Sequence, residues 1–254
     1  MFQSIYFLVF LIFIGVVFGL NIPVGESVRS LYFGSTYWFI PCYLLLYVLS
    51  PILNKYIELS NEYELRKMIG ALLVFEFLLG NYIDISGFAG GYSTLSFVVL
   101  YLIARYLRLY HIERINSYTK ITYLLLYVIF TFIPVLIVEV FGSNSILSCT
   151  HLSYNNPFVI TASIFFFLFF KKLHFSSKTI NVLGASSFAV YLLQLHPITE
   201  PYFKEYMFSM YKEHLGYNYI IISFLVSLLL LILGFIFDQP RKYIGNCIYN
   251  FVIK

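Results

Sequence analysis

The sequence predicts an all-α fold, a polytopic transmembrane helical bundle of about eight spans with both termini cytoplasmic. Three observations lead there. The first is composition. Of 254 residues, 60% are hydrophobic and 11% are charged, whereas an ordinary soluble domain is roughly 45–50% apolar and 25% charged. The mean hydropathy is +0.84. Such a chain is not a soluble globular enzyme, a disordered segment or a coiled coil. The second observation is a series of apolar runs, each long enough for a hydrocarbon core of about 30 Å. The third is an uneven division of Lys and Arg between alternate loops.

The runs fall at 3–21, 36–54, 68–86, 93–110, 119–141, 154–171, 181–198 and 217–237. Helix is expected for each, because backbone in lipid must hydrogen-bond to itself. None alternates in polarity as a barrel strand would. The first has no Lys or Arg before it, unlike a secretory leader, and reads as a retained helix. In the second, Pro41 and Pro51 bracket the apolar stretch and are expected to bend it. Trp38 marks its outer interface. The third run carries Glu76 near its middle, and the fourth closes on Arg105 and Arg108. The sixth has a short apolar heart from Phe158 to Phe170.

The seventh run holds Gly184, Ala185, Ser186 and Ser187, small residues of the kind that let helices approach closely. It ends at His196. Before the eighth run, residues 199–216 mix Glu with Tyr and Phe and read as an amphipathic segment at the outer interface. Residues 241–254 are expected to form another on the inner side. The outer connections are placed at 22–35, 87–92, 142–153 and 199–216.

Thirteen of the sixteen Lys and Arg fall in one set of loops. Only Arg29, Lys204 and Lys212 fall in the other. This bias puts both termini inside. It also accounts for the net charge of +4, so nucleic acid is not an expected partner; there is no basic-aromatic groove. Cys42, Cys149 and Cys247 are widely spaced without a CxxC pair, so no metal site is expected. With no linker, repeat or low-complexity stretch, residues 1–254 read as a single integral membrane domain.

Few residues stand out chemically. A charge at the bilayer centre costs at least about 2.5 kcal/mol, which makes Glu76 a candidate for catalysis. Its plainer role is a hydrogen-bonded tie between helices. Asp84, Glu139 and Asp238 lie near run ends, where snorkelling is cheap. His111 and His174 fall in basic loops and are expected to be solvated. His151 and His214 fall in outer loops. His196 is placed to act as a general base. Arg105 and Arg108 either anchor the inner interface or bind phosphate, which guanidinium groups grip bidentately.

Several strings then carry a resemblance. Trp38-Phe39, followed by Tyr47 and Pro51, resembles the Trp-Phe…Tyr-x-x-x-Pro-Leu span of the acyltransferase-3 family of integral membrane acyltransferases. Phe97 to Tyr110 resembles that family's Phe-…-Tyr-Leu-Ile-Gly-x-Tyr-x-Arg segment, with Ala104 at the usual Gly. Tyr154 to Lys172 resembles its Tyr-x-Asn-Pro…Phe-Lys-Lys segment. Ser187 to Pro197 resembles its Thr/Ser-Phe-x-Val-Tyr-Leu-x-His…Pro span, with Gln194 at the usual His and His196 two residues on. The four strings occur in the family's order and cover nearly the whole chain.

The resemblance implies transfer of an acyl group, usually acetyl, from acyl-CoA to a sugar hydroxyl or amine, and the subtype is similar to bacterial enzymes that O-acylate a hydroxyl of a surface polysaccharide or other glycan. It implies an integral, multi-pass protein of the bacterial inner membrane and no tightly bound cofactor. Acetyl-CoA is the implied donor and a glycan the acceptor. It makes His196 a catalytic candidate beside Glu76, which its intramembrane position marks, with Arg105 and Arg108 the donor-binding candidates and Trp38, Tyr191 and Gln194 the substrate-binding ones. The family's first span, with its Arg-…-His pair, and the Arg-x-x-Arg motif that follows have no counterpart here. The chain is therefore expected to be N-terminally truncated relative to the family, with a separately encoded catalytic segment as a candidate partner beside membrane lipid. The competing expectations are a transporter, flippase or polymerase of lipid-linked glycans, with Glu76 as its proton site, and a non-catalytic remnant.

Overall fold

A computed structural model describes residues 2–19, 24–32, 37–81, 89–141, 153–214 and 216–252. Expectations placed on Asp84, Cys149, His151 and the loop 142–152 lie outside the described residues. Within them the chain is all helical, as the sequence predicts. The helices are α1 (Phe2–Val17), α2 (Val24–Tyr32), α3 (Phe39–Leu59), α4 (Glu62–Asn81), α5 (Thr94–Tyr110) and α6 (Ile112–Ser117). They continue with α7 (Lys120–Phe141), α8 (Pro157–Lys171), α9 (Lys178–Gly184), α10 (Ser187–Gln194), α11 (Glu200–Glu213) and α12 (Tyr217–Val252). Among the described residues α3, α7 and α12 are long and apolar enough to cross a membrane, and α1 and α8 are shorter apolar helices. Phe132, Val140, Phe224 and Ile236 on two of them are exposed, a surface that suits lipid and not water.

Two compact units form, one from residues 41–175 and the other from 1–40 with 176–254. In the 41–175 unit, local chemistry fixes where helices begin. Asn61 and Glu64 exchange reciprocal side-chain-to-backbone bonds of 3.0 Å at the start of α4, a capping box. Ser93 caps α5, and Asn156 caps α8 with Pro157 at its first position, where a missing N–H does no harm. Pro51 lies inside α3 and removes the N–H that the Tyr47 carbonyl would otherwise accept. The Ser50 hydroxyl donates to that carbonyl at 2.8 Å instead.

Helices α4 and α5 are antiparallel: Tyr106 near the end of α5 donates to Glu62 at the start of α4, 3.2 Å away. Leu65, Ile69, Val99, Leu102, Ile103 and Ile160 form the core beneath them. Helices α7 and α8 are also antiparallel and meet through rings. Tyr127 lies 4.7 Å from Phe166 and Phe130 lies 5.5 Å from Phe165, centroid to centroid. The Tyr154 N–H donates to the Gly90 carbonyl at 2.9 Å. That bond sets the start of α8 beside the start of α5, so the two run in the same direction.

In the other unit α1, α10 and α12 pack around a polar centre. Asp238 has no exposed surface. Its carboxylate accepts from Gln3 of α1 at 3.0 Å, from Ser186 before α10 at 3.0 Å, and from Arg241 at 2.5 and 2.9 Å. Lys242 stands 3.5 Å away and donates to the Ser186 hydroxyl at 2.8 Å. Asp238 was expected to snorkel; four side chains hold it inside instead. Close approach between helices occurs at Gly234, where an added Cβ would stand 2.6 Å from Val190 Cγ2. Around Gly184 there is open space; of the expected small-residue patch, Ser186 is the member buried against α12.

Other expectations change as well. The run 181–198 is not one helix: it breaks between Gly184 and Ser187 into α9 and α10, which turns Ser186 inward to Asp238. Part of the expected loop 22–35 is helix α2. The separate segment expected after 241 is the continuation of α12 through Pro240. His111 is half-buried, its Nε2 2.9 Å from the Tyr106 hydroxyl, not solvated.

Asp238→Ala leaves two cations without their anion and is expected to cost about 3 kcal/mol. Gly234→Ala forces α10 and α12 apart and is expected to cost roughly 1–3 kcal/mol. Unfolding of the purified protein in detergent, followed by loss of helical circular dichroism, checks both.

Candidate functional site

The unit of residues 1–40 and 176–254 builds an aromatic site around the end of α10. Tyr37 is buried at 1% exposure and donates to the Leu192 carbonyl at 2.7 Å. This bond matters because α10 stops at Gln194 and its last carbonyls need partners. The Tyr191 ring lies 5.8 Å from Tyr37, 5.9 Å from Phe39 and 5.7 Å from Phe188. Trp38 joins through Phe39, at 6.2 Å. The structure thus brings together Trp38 and Tyr191, two of the sequence candidates. It adds Tyr37, whose burial the sequence did not mark.

His196 lies on the turn that follows, also 1% exposed. Its Nδ1 accepts the Ile198 N–H at 3.2 Å. Thr199 donates to the Leu193 carbonyl, tying the turn back onto α10. A neutral imidazole whose Nδ1 accepts must carry its proton on Nε2. Nε2 is buried and has no protein partner among the described residues. A general base would need the lone pair where this ring carries its hydrogen. The geometry leaves His196 a buried donor at Nε2 instead. Gln194, two residues earlier, is half-buried at the last position of α10.

In the 41–175 unit Glu76 is buried at 1% exposure. The Ser96 hydroxyl donates to its carboxylate, and Ser93 lies 3.1 Å from Ser96, oxygen to oxygen. Asn155 donates its amide to the Glu76 backbone carbonyl at 2.9 Å. The loop behind this network depends on Gly91, with φ +90°. A Cβ there would meet Tyr154 Cβ at 2.7 Å and the Asn155 nitrogen at 2.9 Å. Glu76 therefore ties α4, α5 and the start of α8 together, which is the plainer of its two sequence readings.

Arg105 and Arg108 sit elsewhere in that unit. Ser96, the partner of Glu76, is nine residues before Arg105, or about 14 Å along α5. The two arginines line a cavity of about 700 Å³ between α5, α6 and α8. Lys171 at the end of α8 is a third cation on its wall, one that its position in an apparent charge cluster hid from the sequence reading. The Arg105 Nε is buried without a partner. Guanidinium and ammonium groups so arranged hold phosphate or carboxylate.

A family model described as an acyltransferase domain matches residues 2–238. The chain belongs to the acyltransferase-3 family, and its class is that of a membrane acyltransferase. No curated protein and no solved structure matches the chain.

Glu76→Gln keeps an acceptor for Ser96 and is expected to leave the protein folded. Glu76→Ala leaves Ser96 unsatisfied and opens a void, for an expected loss of about 2 kcal/mol. Gly91→Ala is expected to be worse than Glu76→Gln, since backbone atoms block its Cβ. Thermal midpoints of the three variants in one detergent rank them.

Proposed function

We propose that the protein transfers an acyl group, usually acetyl, from acyl-CoA to a hydroxyl of a bacterial surface polysaccharide, within the inner membrane. Family membership supports acyl transfer. The observation that carries the residue assignment is the buried Nε2–H of His196, without a partner among the described residues, on the turn after the helix that carries Tyr191. Aromatic faces suit the apolar faces of sugar rings, and their edges leave room for polar contacts. Trp38, Tyr191 and Gln194 then bind acceptor, and Arg105 and Arg108 hold the phosphates of the donor.

In the reaction the acceptor hydroxyl oxygen bonds to the thioester carbonyl carbon. The carbon–sulfur bond breaks, and the hydroxyl proton ends on the coenzyme A thiol. Negative charge gathers on the carbonyl oxygen along the way. His196 donates Nε2–H to that oxygen, the role of an oxyanion-stabilising group. Nothing is asked of Glu76 chemically in this reading, in which it ties α4 to α5 through Ser96.

His196→Ala is expected to lower acyl transfer roughly 10²–10³-fold, the usual loss for one such donor. His196→Asn, whose amide still donates, is expected to keep part of the rate. Transfer of radiolabelled acetyl from acetyl-CoA to polysaccharide in membranes checks this. Equal loss in both variants would make the ring a base, and wild-type rates in both would remove it from the site.

A further inference from the structure

The turn after α10 carries a second polar side chain on the face of His196. The His196 carbonyl accepts the Thr199 N–H at 2.9 Å and the Glu200 N–H at 2.8 Å. The second bond closes one helical turn. Side chains four residues apart on such a turn stand on one face, with Cβ atoms about 5–6 Å apart. A hydrogen-bond donor, the His196 ring, and a carboxylate, Glu200, are thus set side by side. Pro197 between them has a fixed φ and restricts His196 as well. The Thr199 hydroxyl holds the turn to the Leu193 carbonyl.

The Glu200 side chain is drawn toward the protein. It is 22% exposed, whereas Lys204, whose Nζ stands 2.6 Å from Oε1, is 71% exposed. A pair with so exposed a partner contributes little and does not require the acid to lie inward. The Glu200 charge also bears on the buried Tyr37 hydroxyl, so the carboxylate is within reach of the aromatic group. Among the described residues Lys204 is its one ionic or hydrogen-bonding partner, through Oε1, which leaves Oε2 able to accept. The other acids described in this unit are placed differently. Asp238 is met by four side chains, and Glu205 and Glu213 are exposed.

Attack on a thioester by a sugar hydroxyl needs a base, because the hydroxyl is a weak nucleophile until its proton leaves. His196 cannot take that proton: the Ile198 N–H occupies Nδ1, and Nε2 carries the hydrogen. We infer that the Glu200 carboxylate is the general base of the transfer, an assignment that rests on the acyl-transfer reading above. Oε2 accepts the hydroxyl proton as the acceptor oxygen bonds to the thioester carbonyl carbon. His196 donates to the carbonyl oxygen from the same face of the turn. The carbon–sulfur bond breaks with its electron pair on sulfur. The Glu200 carboxyl then gives the proton to that sulfur, which completes the thiol and restores the carboxylate.

The test follows transfer of radiolabelled acetyl from acetyl-CoA to polysaccharide by the full chain in membranes. Wild type is compared with Glu200→Gln, Glu200→Asp, Glu200→Ala, Lys204→Ala and Glu205→Gln, and circular dichroism of each purified variant checks the fold. Glu200→Gln is expected to lower kcat roughly 10²–10⁴-fold and to leave the KM for acetyl-CoA unchanged. Glu200→Asp keeps part of the rate. Added formate, a small carboxylate that fits the space left in Glu200→Ala, restores that variant about tenfold or more. Lys204→Ala lowers the rate far less than Glu200→Gln, and Glu205→Gln transfers as the wild type does.

Formate separates a base from a brace, since an acid that only holds the turn gains nothing from it. Folded Glu200→Ala that formate does not rescue therefore overturns the base. So does a loss confined to the KM for polysaccharide, which makes Glu200 a binding group, and so does a loss in Lys204→Ala equal to that in Glu200→Gln. Wild-type rates in Glu200→Gln overturn the base and leave the acyl-transfer reading standing. A wild type that transfers no acetyl overturns both.

Discussion

Asp238 is a carboxylate with no access to solvent, in a helix whose preceding turns are apolar. An ion there is tolerated only with matched charge and several hydrogen bonds. The unit of residues 1–40 and 176–254 is arranged to meet that demand. Gln3 comes from α1, Ser186 from the break between α9 and α10, and Arg241 and Lys242 from the next turn of α12. The break is what lets Ser186 reach the acid. It also makes α10 a short helix ending at Gln194, which places His196 and the Tyr37–Tyr191 group where they are. The polar centre and the candidate site are thus linked through one eight-residue helix.

The 41–175 unit answers the same constraint with neutral partners. Glu76 is met by Ser96 and by the Asn155 amide on its own carbonyl. No cation is spent there, which leaves Arg105, Arg108 and Lys171 for the far end of the same helices. Between the two ends the packing is aromatic and aliphatic. Tyr123, Tyr127 and Phe130 of α7 pack against Phe158, Phe165 and Phe166 of α8, while other α8 residues line the cavity shared with α5 and α6.

The reading of His196 turns on a single backbone contact. A histidine near the end of an apolar run reads as a base, because its ordinary pKa lies near neutrality. The Ile198 N–H occupies Nδ1 and so decides which nitrogen keeps the proton. No spacing rule reports such a bond, because it depends on how the turn closes after Gln194. Lys171 was missed for a related reason. In the sequence it is one of a basic pair after a run of phenylalanines. Only the parallel course of α5 and α8 brings it beside Arg105 and Arg108.

The sequence by itself determined that this chain is all helical, apolar enough for lipid, and a member of an acyltransferase family. Those properties rest on composition, on the length of apolar runs and on strings of residues, all of which are local. It also marked most of the polar residues that matter, since a polar group in an apolar run is conspicuous anywhere. The tertiary structure decided their partners. Asp238 went from a snorkelling acid to a buried anchor, Glu76 acquired Ser96, and the seventh run broke in two. Hydrogen bonds between residues 52 or 235 positions apart follow from packing, and packing is set by shape and charge across helices, which no single run contains.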